Sequence, residues 1–120
     1  MNRKRRIILA NKPRLLREIL KSAFQKYPDL QIVGESRDSN DLVDQITEFE
    51  ANWVIVSLQP NGEFPDSMQR ILNHFPNLGI MAISGDGSQA KARCGDVYEK
   101  DLTHLSLNEL VAMFRSQTEP

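Results

Sequence analysis

Trp53-Val54-Ile55-Val56 is a continuous apolar run. At strand length, such continuity marks a central parallel strand covered on both faces. A strand with one wet face would alternate, and this one does not. Its neighbours in sequence supply the covering layers.

Upstream, Leu42, Val43, Ile46 and Phe49 recur at helical spacing, and Ser39 or Asn40 is placed to cap that helix. Leu30 to Glu35 precedes it as a strand. Before that, Leu15, Leu16, Ile19, Leu20, Ala23, Phe24 and Tyr27 form one face of a helix, with Arg14, Arg17, Lys21 and Lys26 on the other. Asn11 suits its N-cap, Pro13 its first turn, and Pro28-Asp29 its end. Ile7-Ile8-Leu9 is the first strand. Downstream, Gln59-Pro60-Asn61-Gly62 is a loop by composition, and a helix carrying Met68, Ile71, Leu72 and Phe75 stops before Pro76-Asn77. Ile80-Met81-Ala82-Ile83 is the fourth strand and Ser84 to Ser88 a loop. Residues 89–94 are expected to form a turn or two of weak helix, and Val97-Tyr98-Glu99 a short fifth strand. Ser106-Leu107-Asn108-Glu109 is a capping box opening a last helix that buries Leu107, Leu110, Val111 and Phe114. Residues 117–120 read as a tail or the start of a linker.

Strands alternating with helices give an α/β, doubly wound parallel sheet whose functional groups belong beyond the carboxyl ends of the strands. The 120 residues fit one domain, 1–120. A net charge of −1 provides no global field toward nucleic acid or lipid, and Arg3-Lys4-Arg5-Arg6 reads as a solvated flank. A lone Cys94 excludes an internal disulfide, and no apolar run approaches the roughly 20 residues of a membrane span. The charged run from Arg3 stands where an apolar leader segment would lie, so the expectation is a cytoplasmic protein.

Three stretches resemble the receiver domain of two-component response regulators. Residues 6–18 resemble the first strand, acidic pair and first helix. Leu30-Gln-Ile-Val-Gly-Glu resembles the second strand of regulators with a helix-turn-helix output domain. Val97-Tyr-Glu-Lys-Asp with the capped last helix resembles the end of the same subgroup. The resemblance implies a flavodoxin-like (CheY-like) five-stranded parallel sheet of order 2-1-3-4-5. Ser84 to Lys100 is only 16 positions, so the fourth helix is expected to be short or missing. The subgroup usually continues into a DNA-binding helix-turn-helix, and the resemblance leaves open both such an extension after Pro120 and a stand-alone adaptor.

In such receivers an acidic pair and an aspartate hold Mg²⁺, the aspartate accepts a phosphoryl group, and a hydroxyl and a lysine hold its oxygens. Carried over, these roles fall on Ala10 and Asn11, on Ser57, on Ser84 and on Lys100. The last two match and the first three do not. Mg²⁺ is a hard cation that wants carboxylates, so neither Mg²⁺ nor any other cofactor is expected, and aspartyl phosphorylation is not. The family's aromatic sensor position falls on Val97, whereas Tyr98 faces the opposite side of the sheet.

The resulting expectation is a pseudo-receiver in signal transduction and transcription regulation. It would act by phosphorylation-independent protein–protein interaction, or as a homodimer through the 85–99 region and the last helix, with no direct nucleic-acid or membrane contact. The alternative is a small-molecule or anion sensor using Ser57, Ser84 and Lys100. No enzyme is expected. Ser57 lies outside a Gly-x-Ser-x-Gly turn. His74 and His104 have no ligand-spaced companions. Gly85-Asp86-Gly87 lacks the spacing of a phosphate-binding loop.

Overall fold

The computed structural model describes residues 5–12, 14–36, 39–86, 89–94 and 98–103, with the backbone alone at 39–40, 94 and 98–103. The last helix, the tail and Val97 lie outside the described residues. The elements in order are β1 (Arg5–Leu9), α1 (Arg14–Phe24), β2 (Leu30–Glu35), α2 (Ser39–Phe49), β3 (Trp53–Ser57), α3 (Ser67–His74), β4 (Gly79–Ile83), β5 (Gln89–Cys94) and β6 (Tyr98–Thr103).

These strands form one sheet of order β2-β1-β3-β4-β5-β6. The first four are mutually parallel. Trp53, Val54, Ile55 and Val56 are all buried, as a central strand covered on both faces requires. One core cluster joins Ile7, Leu9, Trp53, Ile55 and Met81 to Leu20, Ala23 and Phe24 of α1. The other joins Ile8, Val54, Val56 and Ile80 to α2 through Leu42 and Ile46, and to α3 through Met68, Ile71 and Leu72. Odd and even positions of each strand thus feed opposite layers, which is the doubly wound arrangement. Leu15 and Ile19, assigned to the apolar face of α1, are instead exposed (70% and 42%). The buried stripe is centred on Leu20, Ala23 and Phe24, so they fall at its margin.

Local contacts fix the frame. Gly79 pairs with Trp53 across β3 and β4, and a Cβ at Gly79 would stand 2.5 Å from the indole ring. Only glycine lets that ring lie against the neighbouring strand. The Arg6 main chain exchanges hydrogen bonds with Asn52, and its guanidinium donates twice to the Phe49 carbonyl, at 2.8 and 2.6 Å. That carbonyl ends α2, where it has no partner within the helix. Glu50 follows in the left-handed region at φ 53°, a common way to leave a helix. Half of the basic run is therefore structural: Arg6 caps α2, and Arg5 is buried.

The sheet departs from the expected pattern after β4. Residues 89–94 form a strand rather than a weak helix. β5 runs antiparallel to β4, and β6 antiparallel to β5, so β6 again runs with the first four. The strand assigned to residues 97–99 is β6, and it extends to Thr103. The first five strands keep the order 2-1-3-4-5, with β5 inserted where a crossover helix was sought, and no helix lies between β4 and β5 among the described residues. The physical reason is alternation: Ala90 and Ala92 are buried while Gln89 is exposed and Lys91 and Arg93 are partly exposed, a period of two that outweighs the helical preference of these residue types. No described helix is long and apolar enough to cross a membrane.

Candidate functional site

The strand-end region is built by the segments leaving β1 and β3. Ala10 continues the ladder by donating its N–H to the Ile55 carbonyl at 2.7 Å. Asn11 is fully buried, and among the described residues neither its Nδ2 nor its Oδ1 has a hydrogen-bond partner. Its main-chain carbonyl accepts from Arg17 Nη1 at 2.7 Å. Lys12 follows, and its main-chain N–H donates to Ser57 Oγ at 2.8 Å. Ser57 thus fastens the loop after β1 to the end of β3. Ala10, Asn11 and Ser57 are brought together there.

Ser84 and Lys100 do not join them. Ser84 Oγ donates to Asp86 at 2.7 Å and accepts from the Gln89 N–H at 3.0 Å, while the Ser84 N–H donates to the Gln89 carbonyl at 2.9 Å. All three bonds close the β4–β5 turn. Lys100 is opposite Ala92, which is opposite Met81, which is opposite Ile55. Its backbone lies two residues short of the level of Ser57 and, with β5 intervening, two strand spacings (roughly 9–10 Å) from β4. Leu102 is the β6 residue level with Ser57. The inserted strand sets the Lys100 backbone apart from the ends of β3 and β4.

Arg17, Lys21 and Glu35 complete the rim. Arg17 Nε meets Glu35 at 3.1 Å, and Lys21 Nζ meets Glu35 at 2.8 Å and Glu18 at 3.2 Å. The Lys21 hydrogen bond, with Arg17 assisting, holds the Glu35 carboxyl below its ordinary range, and Lys21 is raised chiefly by the same bond. The sequence placed Arg17 and Lys21 only on a solvated helix face. Nothing local in sequence says that this face meets the end of β2, so the network was missed.

The chemical capacity of the site is narrow. Ala10 offers a metal no ligand, the amide of Asn11 is out of reach of solvent, and Ser57 Oγ is already an acceptor for Lys12. This donor set does not fit Mg²⁺. Among the described residues, no group of three or more His, Cys, Asp or Glu stands ready for a metal. An anion would need free donors, and here Ser57 Oγ accepts from Lys12 while Ser84 Oγ is engaged with Asp86 and Gln89.

No protein-family model matches the chain. It is 26% identical over 86 residues to protein-glutamate methylesterase/protein-glutamine glutaminase 3 of Syntrophomonas wolfei, covering 69% of this chain and 24% of that protein. It superposes on the non-phosphorylated receiver domain of the stress response regulator RcsB from Escherichia coli with a TM-score of 0.59, at 21% identity, over 68% of this chain and 65% of that one. A structure of two RcsB dimers bound to two parallel DNAs gives a TM-score of 0.55 at 22% identity, over 64% of this chain and 42% of that one. The chain thus has the fold of response-regulator receiver domains, and it spans less than two thirds of each of these proteins as compared.

Proposed function

We propose that this chain is a pseudo-receiver, a signalling module with the receiver fold that works by contact with a protein partner or a second copy and not by taking up a phosphoryl group. The observation that carries the reading is the residue set at the strand ends: Ala10, Asn11 and Ser57 stand where phosphoryl transfer needs carboxylates. Charge developing on a transferring phosphoryl group must be neutralised by a metal or by several cations. Those three positions carry no carboxylate to hold the metal, and the Lys100 backbone lies two strands from β4. A serine hydroxyl is also a poor nucleophile without a base to activate it.

The signal would then be carried by surface. The face that includes β5 and β6 is the remodelled part of the fold, and it is the partner surface in this reading. Self-association is the first contact to test, since RcsB has been seen as dimers, and the likeness to a DNA-bound regulator supports a role in transcription regulation. Light scattering on the purified protein, with and without acetyl phosphate and Mg²⁺, tests the reading. The expected result is one molar mass under both conditions. A molar mass that changes only when the phosphodonor is present would overturn it.

A further inference from the structure

We propose that residues 89–94 are a strand-to-helix switch, and that when they leave the sheet as a helix, β6 pairs directly with β4. The inference goes beyond the functional reading above and stands whether or not the chain accepts a phosphoryl group.

Local sequence and fold disagree in β5. Its residues are Gln89-Ala-Lys-Ala-Arg-Cys. Gln, Ala, Lys and Arg are among the strongest helix formers, and Ala and Lys are depleted in strands. The segment has no β-branched or aromatic side chain, yet it is an inner strand, paired with β4 on one side and β6 on the other. Minimally frustrated sequences avoid such conflicts, and the exceptions gather at functional sites.

The topology supplies that second arrangement. β6 lies antiparallel to an antiparallel strand, so it already runs parallel to β4. It can pair with β4 without reversing. The connection from Ile83 to Tyr98 covers positions 84–97, which meets the dozen or more residues that a parallel crossover needs, usually as a helix. Removing β5 empties little of the core, because Ala90 and Ala92 contribute only a methyl each to it.

Identifiable contacts hold the strand form. Lys91 Nζ lies 3.5 Å from Glu63 and 5.7 Å from the centre of the Phe64 ring. Ser84 closes the turn to Gln89. These are polar, partly exposed contacts, the kind a partner can replace. A partner that binds one form better than the other would shift the populations by its differential affinity.

NMR relaxation dispersion on the whole chain tests this, because it reports the shifts of a minor state. The expected result is exchange at residues 89–94 and 98–103 with one shared rate, and minor-state Cα shifts at 89–94 on the helical side. Glu63→Ala should raise the minor population several-fold, and Ala90→Val/Ala92→Val should lower it. Absence of exchange in the unmodified protein would overturn the proposal, as would minor-state shifts at 89–94 with random-coil or strand values. Because the unmodified protein is itself diagnostic, a variant that fails to fold does not decide the matter.

Discussion

The main-chain N–H of Lys12 and the hydroxyl of Ser57 are joined by a 2.8 Å hydrogen bond that fastens the end of β1 to the end of β3. Ser57 is therefore part of the scaffold at a position where a receiver would keep a reactive group. Ser57→Ala should cost about 0.5–1.5 kcal/mol, the usual net worth of such a bond, read from the midpoint of a urea titration. Ser57→Asp alone should gain no Mg²⁺ affinity by calorimetry, because Ala10 still offers no ligand. Tight Mg²⁺ binding by that single variant would show that the site is less degenerate than its residues imply.

Gly79 has a steric reason to be glycine. A Cβ there meets three ring atoms of Trp53 within 2.7 Å, and the two residues pair at the start of two inner strands. Gly79→Ala should cost about 1–3 kcal/mol as overpacking and should change the near-ultraviolet circular dichroism of the single Trp. A neutral substitution would mean that the indole does not lie against this strand.

Arg6 ties β1 to the end of α2 through the Phe49 carbonyl. Arg6→Ala leaves that carbonyl without its charged donors and should cost about 1.5–3 kcal/mol. Arg6→Lys should recover only part of it, since an ammonium cannot donate in a fixed fork. Equal stability of the Lys variant and the parent would mean that the fork is unimportant.

The Glu35 network should leave a weak mark on pH dependence. Glu35 in the folded chain lies below its ordinary value of 4.5, chiefly through the hydrogen bond from Lys21. Its stabilisation is present above that value and is lost as pH falls through the folded value. Lys21 is raised above 10.5, so its share is present below 10.5 and is lost as pH rises through the raised value. The groups are partly exposed, and Glu35→Gln should therefore cost less than about 1 kcal/mol at pH 7 and progressively less as pH falls through the folded value. A difference that does not change with pH, or that survives 1 M salt, would contradict this origin.

How much of this was legible in the sequence depends on how local the signal is. The apolar run at residues 53–56 and the helical spacing around Leu20, Ile46 and Ile71 placed the first four strands and three helices, because burial imposes its period directly on sequence. Residues 89–94 misled for the opposite reason. Their residue types favour a helix, while their polar–apolar alternation has the period of two of a strand, and pairing with β4 and β6 decides between the two. At the site, the identities of Ala10, Asn11 and Ser57 were readable, and so was the chemistry they exclude. Their contacts were not, because the Lys12 bond to Ser57 and the Arg17 bond to Asn11 depend on how the loop after β1 turns. Lys100 was assigned to the site by its place in the sequence order, and one inserted strand moved it away.

The central claim is that this receiver fold does not take up a phosphoryl group. Intact-mass spectrometry after incubation with acetyl phosphate and Mg²⁺ tests it most directly. The account predicts an unchanged mass. A shift by one phosphoryl group that disappears in Ser57→Ala would contradict it.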